Sequence, residues 1–554
     1  MDHLSQLLGQ RPGAAAETEQ LNHEVTTDTS VWAAGLHVGE SYNGAKPSAW
    51  DDTYLASMPA KAAPRVSLAV STDLKQWNYR YMFEKKGERS LELDSRLNEM
   101  ADVLQQAFGL SQEWEDPSIP NQASIFTVGR ICTRLDPVPS AAKATEAAPQ
   151  DVPSQKLTAT NLVLETSRMV GNGQRVSLAL DPKCMVRYAW SDEATQASSI
   201  VGLFPGMIVG LKGRNGSGNK FVAEELLMPP ALPHPATSRE EMLLHQYDEA
   251  KLHGTALRVA AVSGPYTEPK DLSFAPWHAF MSHMEAAQPD VVVVMGPFVS
   301  AKHPLVASGA IEELPTDMFK RHISQRLARL MERSPSTMVI LVPSTDDIFH
   351  PHFAYPQPFI DKADPALGLP KRVRCLPNPS VFYINEIAIG VSTADVLGDL
   401  RREELVQRVQ PGPSAEGKPA TPSTKGTDPM MRWARHVLSQ RHFYPLFPSS
   451  SASQLPLDLS HSRLCTLDQI TPDIVLLPSP RTKPFLRVVD STVVINPGTL
   501  ARSGMDAPGP SFVRMQIDPL PRSTLVRAPG ESQEMISHEV YQRARIDLVH
   551  TEKQ

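Results

Sequence analysis

Asp346, Asp347, His350 and His352 stand close together, and carboxylates and imidazoles are metal ligands by type. They follow an apolar run, Met338-Val339-Ile340-Leu341-Val342, at the kind of position where open α/β sheets collect ligands outside the carboxyl ends of their strands. The chemistry suited to such a place is hydrolysis of a phosphate ester by water held between two metal ions about 3.5 to 4 Å apart. That takes roughly five to seven carboxylate and imidazole ligands drawn from several strand ends. The other strand ends do not supply them. Leu257-Arg258-Val259-Ala260-Ala261-Val262 exits into Ser263-Gly264-Pro265-Tyr266, which has neither a carboxylate nor an imidazole. Val291-Val292-Val293-Val294-Met295 exits into Gly296-Pro297-Phe298, and proline has no side-chain oxygen to donate. The run ending at Val342 leads into Pro343-Ser344-Thr345, and Asp473-Ile474-Val475-Leu476-Leu477 leads into Pro478-Ser479-Pro480, again without carboxylate or imidazole. Two carboxylates on one loop do not assemble a binuclear centre, so hydrogen bonding within the loop is the expected role of Asp346 and Asp347, and no metal is expected.

Other chemistry-bearing groups give less. His436 and His442 flank Gln440-Arg441, but a helix from Arg432 to Gln440 with Trp433 and Val437 inward makes both histidines satisfied or surface groups. Tyr444-Pro445-Leu446-Phe447-Pro448 is rigid and apolar, fit for either a core edge or a partner-binding ridge. Gly213 to Lys220 is rich in glycine. It fails as a phosphate loop because no Ser or Thr follows Lys220, the spacing is one residue too long and a strand comes next. No Gly-x-Ser-x-Gly elbow, no cysteine beside a base and no dinucleotide fingerprint occurs.

The elements that must position these residues can be read in outline. Residues 1–70 are polar and rich in Ala, Pro and Gly without periodicity, and read as disordered. Residues 71–120 form a helical lead-in, with Leu93, Leu97, Met100, Leu104 and Phe108 on one stripe. Residues 121–230 read as short strands, with Asn215-Gly216 as a hairpin turn, and five such strands make a small barrel. Residues 231–554 alternate apolar strands with helices around Trp277, Phe280, Met281 and Met284 and around Phe319, Ile323, Leu327 and Leu330, which predicts a layered α/β domain. Within it Val381 to Val391 is a hairpin about Asn385-Glu386, and 410–430 is a proline-rich disordered loop. Glu539 to Val549 is a short helix or a terminal strand.

Composition bounds the function. The 554 residues carry 54 Lys+Arg against 61 Asp+Glu, a formal charge of -7, which argues against a chain that coats nucleic acid with a basic face. Cys132, Cys184, Cys375 and Cys465 form no Cys-x-x-Cys pair, so neither a disulfide framework nor a structural zinc site is expected. No apolar run approaches the roughly 20 residues of a membrane span.

Taken together, Ser263-Gly264-Pro265-Tyr266-Thr267, Gly296-Pro297-Phe298, Pro343-Ser344 with Asp347, Gln440-Arg441 with Tyr444 to Pro448, and Asn496-Pro497-Gly498 resemble, in order and spacing, the B subunits of the DNA polymerase alpha-primase complex. The resemblance runs from about Asn78 to near the C-terminus. It implies a non-catalytic accessory subunit: an oligonucleotide/oligosaccharide-binding barrel (OB fold) packed on an inactivated, calcineurin-like metallophosphoesterase domain, without cofactor. It also implies a nuclear location, the C-terminal module of the polymerase catalytic subunit as partner, primase subunits reached through the complex, and mostly indirect contact with DNA. A small helical N-terminal domain common in the family is not found here. The alternatives are an accessory subunit of the delta or epsilon polymerase, a live phosphodiesterase with a rearranged metal site, and a barrel that stacks single-stranded bases on Tyr188 and Trp190. Of the Ser/Thr-Pro sites at Ser334, Thr421, Thr471 and Ser479, only Thr421 falls in an expected exposed loop.

Overall fold

Strands whose residues are apolar without alternation must be covered on both faces, and the protein does this with two stacked sheets. The computed structural model describes residues 35–51, 63–134, 155–189, 198–411, 428–451, 453–502, 504, 507–525 and 535–551. One sheet runs, edge to edge, Leu36–Tyr42, Ala544–Thr551, Ser511–Ile517, Leu257–Ser263, Val291–Met295, Met338–Val342 and Arg374–Cys375. The strands Leu257–Ser263, Val291–Met295 and Met338–Val342 are parallel neighbours, in register Ser263 to Met295 to Val342, so their carboxyl ends share one rim. The second sheet runs Phe485–Val489, Thr492–Asn496, Ile474–Leu476, Ile387–Val391, Ser380–Ile384 and Leu68–Val70.

Strand periodicity of two divides the side chains between layers. Val259, Ala261, Val291, Val293, Met295, Ile340 and Val342 point into the space between the sheets, against Phe382, Ile384, Ile389, Ile474, Leu476, Val493 and Ile495. Ala260, Val262, Val292, Val294, Val339 and Leu341 face the helices Ala275–Ala287 and Gln325–Arg333, through Trp277, Phe280, Met284, Leu327 and Leu330. Each fully buried side chain of this size contributes on the order of 1.5 to 3 kcal/mol.

The third core belongs to a barrel. Its strands are Asn121–Thr133, Leu162–Glu165, Arg175–Tyr188, Ile208–Asn215 and Lys220–Met228. The first pairs with the second and fourth, the second with the third, and the fourth with the fifth, all antiparallel. The fifth closes the ring by pairing parallel with the third, Leu178 opposite Phe221 and Val186 opposite Leu226. The helix Glu88–Phe108 lays Leu97, Met100 and Leu104 on the barrel's Val128, Ile208 and Leu227. The barrel interior is continuous with the outer face of the second sheet, because Leu203, Phe204, Leu211 and Phe221 share one cluster with Val475, Leu477 and Val494 and with the helices Val396–Glu403 and Pro429–Ser439.

Two expectations need correction. Residues 1–70 are not uniformly without packed structure. Leu36–Tyr42 is an edge strand paired antiparallel with Ala544–Thr551, and Ser41 Oγ donates to Asp547 Oδ1 at 2.5 Å. Trp50 is buried with the guanidinium groups of Arg258 and Arg514 over its ring at 5.5 and 5.7 Å. Arg65 clamps the buried Asp290 at 2.9 and 3.0 Å, and Leu68–Val70 edges the second sheet. These segments are too short to show a period, and their partners lie hundreds of residues away, so nothing local announces them. Residues 1–34 and 52–62 lie outside the described residues. The loop expected at 410–430 is narrower: Gln410–Pro411 pairs with Met185 and Val186, and Asp428 caps the helix beginning at Pro429, its carboxylate accepting from Met430 N–H at 3.0 Å. Residues 412–427, Thr421 among them, lie outside the described residues. At the other end both readings hold in turn, a helical turn at Val540–Arg543 and then the strand Ala544–Thr551.

Because Trp50 is buried on the face of the first sheet beneath Arg258 and Arg514, Trp50→Ala is expected to destabilise the protein by about 3 kcal/mol or more, the range seen for large aromatic truncations. Urea denaturation followed by circular dichroism checks this. A change within about 0.5 kcal/mol, the size of an ordinary surface substitution, would mean the segment is not part of the folded core.

Candidate functional site

Four of the five short motifs meet on the rim where the parallel strands end. Gly264 N–H donates to Met295 O at 2.9 Å and Gly296 N–H to Val342 O at 2.8 Å, so each exit loop is stitched to the next strand. Tyr266 is buried beneath them and its hydroxyl donates to Met295 O at 2.6 Å. Ser263 Oγ donates to Gly296 O at 3.3 Å. Glycine is needed at both crossings: a Cβ on Gly264 would strike the Pro297 carbonyl, and one on Gly296 would sit 2.5 Å from Asp347 Oδ2. Asn496 ties in the second sheet. Its Oδ1 accepts from Ser479 N–H at 2.9 Å and Gly498 N–H at 3.0 Å, while its amide donates to Thr482 O and Lys483 O, both at 3.1 Å. The chain leaving Pro497 and Gly498 returns to the first loop, with Leu500 N–H on Ser263 O at 2.9 Å and Ala501 N–H on Pro265 O at 3.0 Å.

At the centre of the rim sits Asp347, fully enclosed. It accepts backbone N–H groups of Phe298, of Val299 at 3.2 Å and of Ser344 at 2.8 Å. Burial pushes its carboxyl up to about 7, against the downward pull of those three donors. Both oxygens accept from the protein's own backbone and the side chain is buried, so Asp347 presents no oxygen to solvent. Its neighbour Asp346 turns the other way and pairs with Lys302 at 2.9 Å. His350 and His352 answer each other, His352 N–H donating to His350 Nδ1 at 3.2 Å, and burial lowers both imidazoles, His352 to about 4. The structure thus brings the Ser263, Gly296, Pro343 and Asn496 motifs together, with His350 N–H on Asp347 O at 3.2 Å and Asp346 N–H on Ser344 Oγ at 3.3 Å, while the Asp346 carboxylate points away to Lys302. Among the described residues no group of three or more His, Cys, Asp or Glu side chains is arranged to hold a metal ion.

The fifth motif lies elsewhere, at the joint between barrel and α/β body. Gln440 reads both backbone groups of Ile208, Oε1 accepting from its N–H at 2.9 Å and Nε2 donating to its carbonyl at 2.8 Å. Arg441 Nε donates to Pro230 O at 3.1 Å, and Phe447 N–H donates to Pro205 O at 3.0 Å. Tyr444 is buried, with its hydroxyl donating to Asp399 Oδ2 at 2.6 Å, and Asp399 is held in turn by Arg481 at 2.6 Å. Of the two roles open to Tyr444, Pro445 and Leu446, the structure assigns the core. His436 and His442 are buried and satisfied, His436 on Glu404 at 2.9 Å and His442 accepting from Tyr444 N–H at 3.0 Å. Burial alone would raise the Glu404 carboxyl, but donors from Arg432 and His436 outweigh it and hold it at about 2. On the barrel, Tyr188 is half-buried and Trp190 lies outside the described residues.

Comparison with known proteins bears on this arrangement. Residues 90–229 match the family model for the OB domain of the DNA polymerase alpha B subunit, and residues 259–487 match that for the DNA polymerase alpha/epsilon B subunit. The DNA polymerase alpha B subunit of Schizosaccharomyces pombe is 31% identical over 496 residues, spanning 88% of this chain and 75% of that protein. The chain belongs to the family of DNA polymerase alpha B subunits. The Saccharomyces cerevisiae member is 30% identical over 86% of this chain and 66% of its own length, and the Bos taurus member 27% identical over 73% and 56%. Among solved structures, Vps29 of Chaetomium thermophilum aligns with 54% of this chain at 9% identity and a TM-score of 0.21, too low to bear on the fold.

Sequence reasoning missed two parts of this family architecture. Gly206, at φ 98°, lets the barrel touch the Pro445 to Phe447 backbone, where any Cβ would collide. Its signal was available as a Pro205-Gly206 turn ahead of the next strand. The quartet Glu404, Arg432, Trp433 and His436, closed at 2.6 to 3.0 Å, gave no signal, because its members reach one carboxylate from a neighbouring helix.

Two outcomes are expected. Gln440→Ala orphans both groups of Ile208 in a buried joint and should cost on the order of 2 to 3 kcal/mol, read by urea denaturation, whereas no loss would deny that Gln440 couples the domains. Asp347 has a folded pKa raised above its unfolded value, so its contribution is greatest below pH about 4 and is lost as pH rises through about 7. The stability gap between wild type and Asp347→Asn, measured by urea denaturation at each pH, should therefore narrow from pH 5 to pH 8. A gap that widens over that range would reverse the assignment.

Proposed function

We propose that this protein is a non-catalytic accessory subunit of the DNA polymerase alpha-primase complex. In this reading an inactivated, calcineurin-like metallophosphoesterase domain carries an OB barrel, and the pair holds the C-terminal module of the polymerase catalytic subunit in the nucleus for the initiation of replication. Primase would be reached through the complex. Family membership supports the accessory role, and the observation that carries the loss of catalysis is the rim. Where a binuclear site needs ligands stand Ser263, Pro297, Ser344 and Ser479, and the carboxylate at the centre, Asp347, is spent on three backbone N–H groups. Water activation between two metal ions cannot be run from one inward-turned carboxylate. The remaining motif residues, from Gly264, Pro265, Tyr266 and Phe298 to Pro343, Asn496, Pro497 and Gly498, then serve to close the former mouth, while Tyr444 and Pro445 lock the barrel on.

The alpha relatives disfavour a delta or epsilon assignment, and the formal charge of -7 is consistent with mostly indirect contact with DNA. Two measurements test the reading. The purified protein, incubated with manganese or zinc and dialysed, should retain no stoichiometric metal by mass spectrometry and should not hydrolyse bis-p-nitrophenyl phosphate. Co-expression with the C-terminal region of a DNA polymerase alpha catalytic subunit should yield a stable one-to-one complex. Two metal equivalents with turnover abolished by Asp347→Ala, or a monomer indifferent to that partner, would overturn it.

A further inference from the structure

A buried donor without an acceptor is costly, so two of them on one cavity wall say what kind of group belongs there. Beside the helix Pro429–Ser439 lies a cleft of about 610 Å³, with Tyr188, Ile200 and Met228 on one side and Arg435 and Ser439 on the other. Its volume falls in the range of small-molecule sites, roughly 300 to 1,000 Å³. Arg435 and Ser439 stand four residues apart, so the helix sets them one above the other on the same face. Ser439 is buried, 7% exposed, yet its Oγ has no hydrogen-bond partner among the described residues, not even the helix carbonyl to which a serine inside a helix commonly bonds back. Arg435 Nε is likewise buried without a partner, and no described carboxylate pairs with its guanidinium.

The neighbouring charges are already committed. Glu404 accepts from Arg432 at 2.6 and 2.8 Å, from Trp433 Nε1 at 3.0 Å and from His436 at 2.9 Å, so Arg432 reaches the cleft compensated and Arg435 does not. Asp490 is the acid on the lining. At the Tyr188 hydroxyl its effect is smaller than that of Arg435 or of Arg432, which both oppose the rise that burial imposes there, so the positive sign prevails among these three. A guanidinium carries donors only, and its Nε and one Nη make a fork that fits two oxygens of a phosphate or a carboxylate. A tetrahedral phosphate presents oxygens in three directions, enough for the fork, for Ser439 and for Tyr188, whereas a planar carboxylate presents two in one plane. We propose that this cleft binds a phosphate monoester, with the Arg435 fork and the Ser439 hydroxyl on the phosphate and the organic part against the apolar wall of Ile200, Met228 and Pro230. The site is separate from the rim of the parallel strands, and its chemistry is recognition without turnover.

The test uses the full chain and isothermal titration calorimetry, with phenyl phosphate as probe, benzoate as the matching carboxylate and N-acetyl-O-phosphoserine amide as the side-chain form. Phenyl phosphate should bind one to one, and benzoate at least about tenfold more weakly. Tighter binding of phenyl phosphate than of the phosphoserine amide names a small phosphorylated molecule as the source, the reverse order names a phosphorylated side chain, and each supports the site. Arg435→Met should weaken phenyl phosphate at least about tenfold. Arg435→Lys, which keeps the charge and loses the fork, should weaken it less, and Ser439→Ala should also weaken it. Arg374→Met, an exposed arginine on an edge strand of the first sheet, should bind as wild type, and circular dichroism melting establishes that every variant is folded. Wild type that fails to bind phenyl phosphate overturns the proposal, water alone then meeting the two donors. Benzoate that binds as tightly, or a folded Arg435→Met that binds undiminished, overturns it as well. So does binding that emerges only in Asp192→Asn with Glu193→Gln, positions outside the described residues, because the chain's own carboxylates then fill the cleft.

Discussion

Backbone N–H groups at the end of a buried parallel sheet must find acceptors, and the α/β body depends on how this rim finds them. In an open α/β sheet that place is a crevice where strand-end N–H groups and side chains face a ligand. Here Asp347 takes three N–H groups and Asn496 takes two more, while the strand carbonyls of Met295 and Val342 take those of Gly264 and Gly296. A buried polar group left unpaired costs about 1 to 3 kcal/mol, so a rim built this way is closed as firmly as any other part of the core. The requirement for glycine at 264 and 296 follows from the same closure, since the loops approach to within backbone contact.

The barrel depends on the body in a comparable way. Its apolar interior does not end at its own strands but continues into the helices Val396–Glu403 and Pro429–Ser439 and the outer face of the second sheet. Polar groups at this joint pair directly across it, Gln440 with Ile208 and Phe447 with Pro205, so barrel and body are tied by hydrogen bonds as well as by apolar packing. Rigid placement of two domains is the physical property that an accessory role requires.

Much of this was legible in the residues. Val291 to Met295, apolar without alternation, could only be a strand covered on both faces, and that Ser263, Pro297, Ser344 and Ser479 offer neither carboxylate nor imidazole is a statement about side-chain chemistry that needs no coordinates. The helix stripe from Leu97 to Leu104 and the hairpin at Asn385-Glu386 are local patterns with a fixed period or turn chemistry, and each stands where that pattern puts it, whereas the hairpin expected at Asn215-Gly216 turns through Gly216 to Asn219, with its positive φ at Gly218. The order of the five motifs carried the family.

What the chain could not reveal by itself was everything set by pairing at a distance. Leu36–Tyr42 is a strand only because Ala544–Thr551 offers it an edge, and Trp50 is core only because Arg258 and Arg514 enclose it. Whether Tyr444 to Pro448 is ridge or core is decided by Gly206 arriving from the barrel, and the state of Asp347 by N–H groups that include two from the loop after the neighbouring strand. Sequence determines which side chains can form elements and which can do chemistry, since period and donor type are local properties. Burial and the partner of each polar group belong to the tertiary structure, because both are set by residues far along the chain.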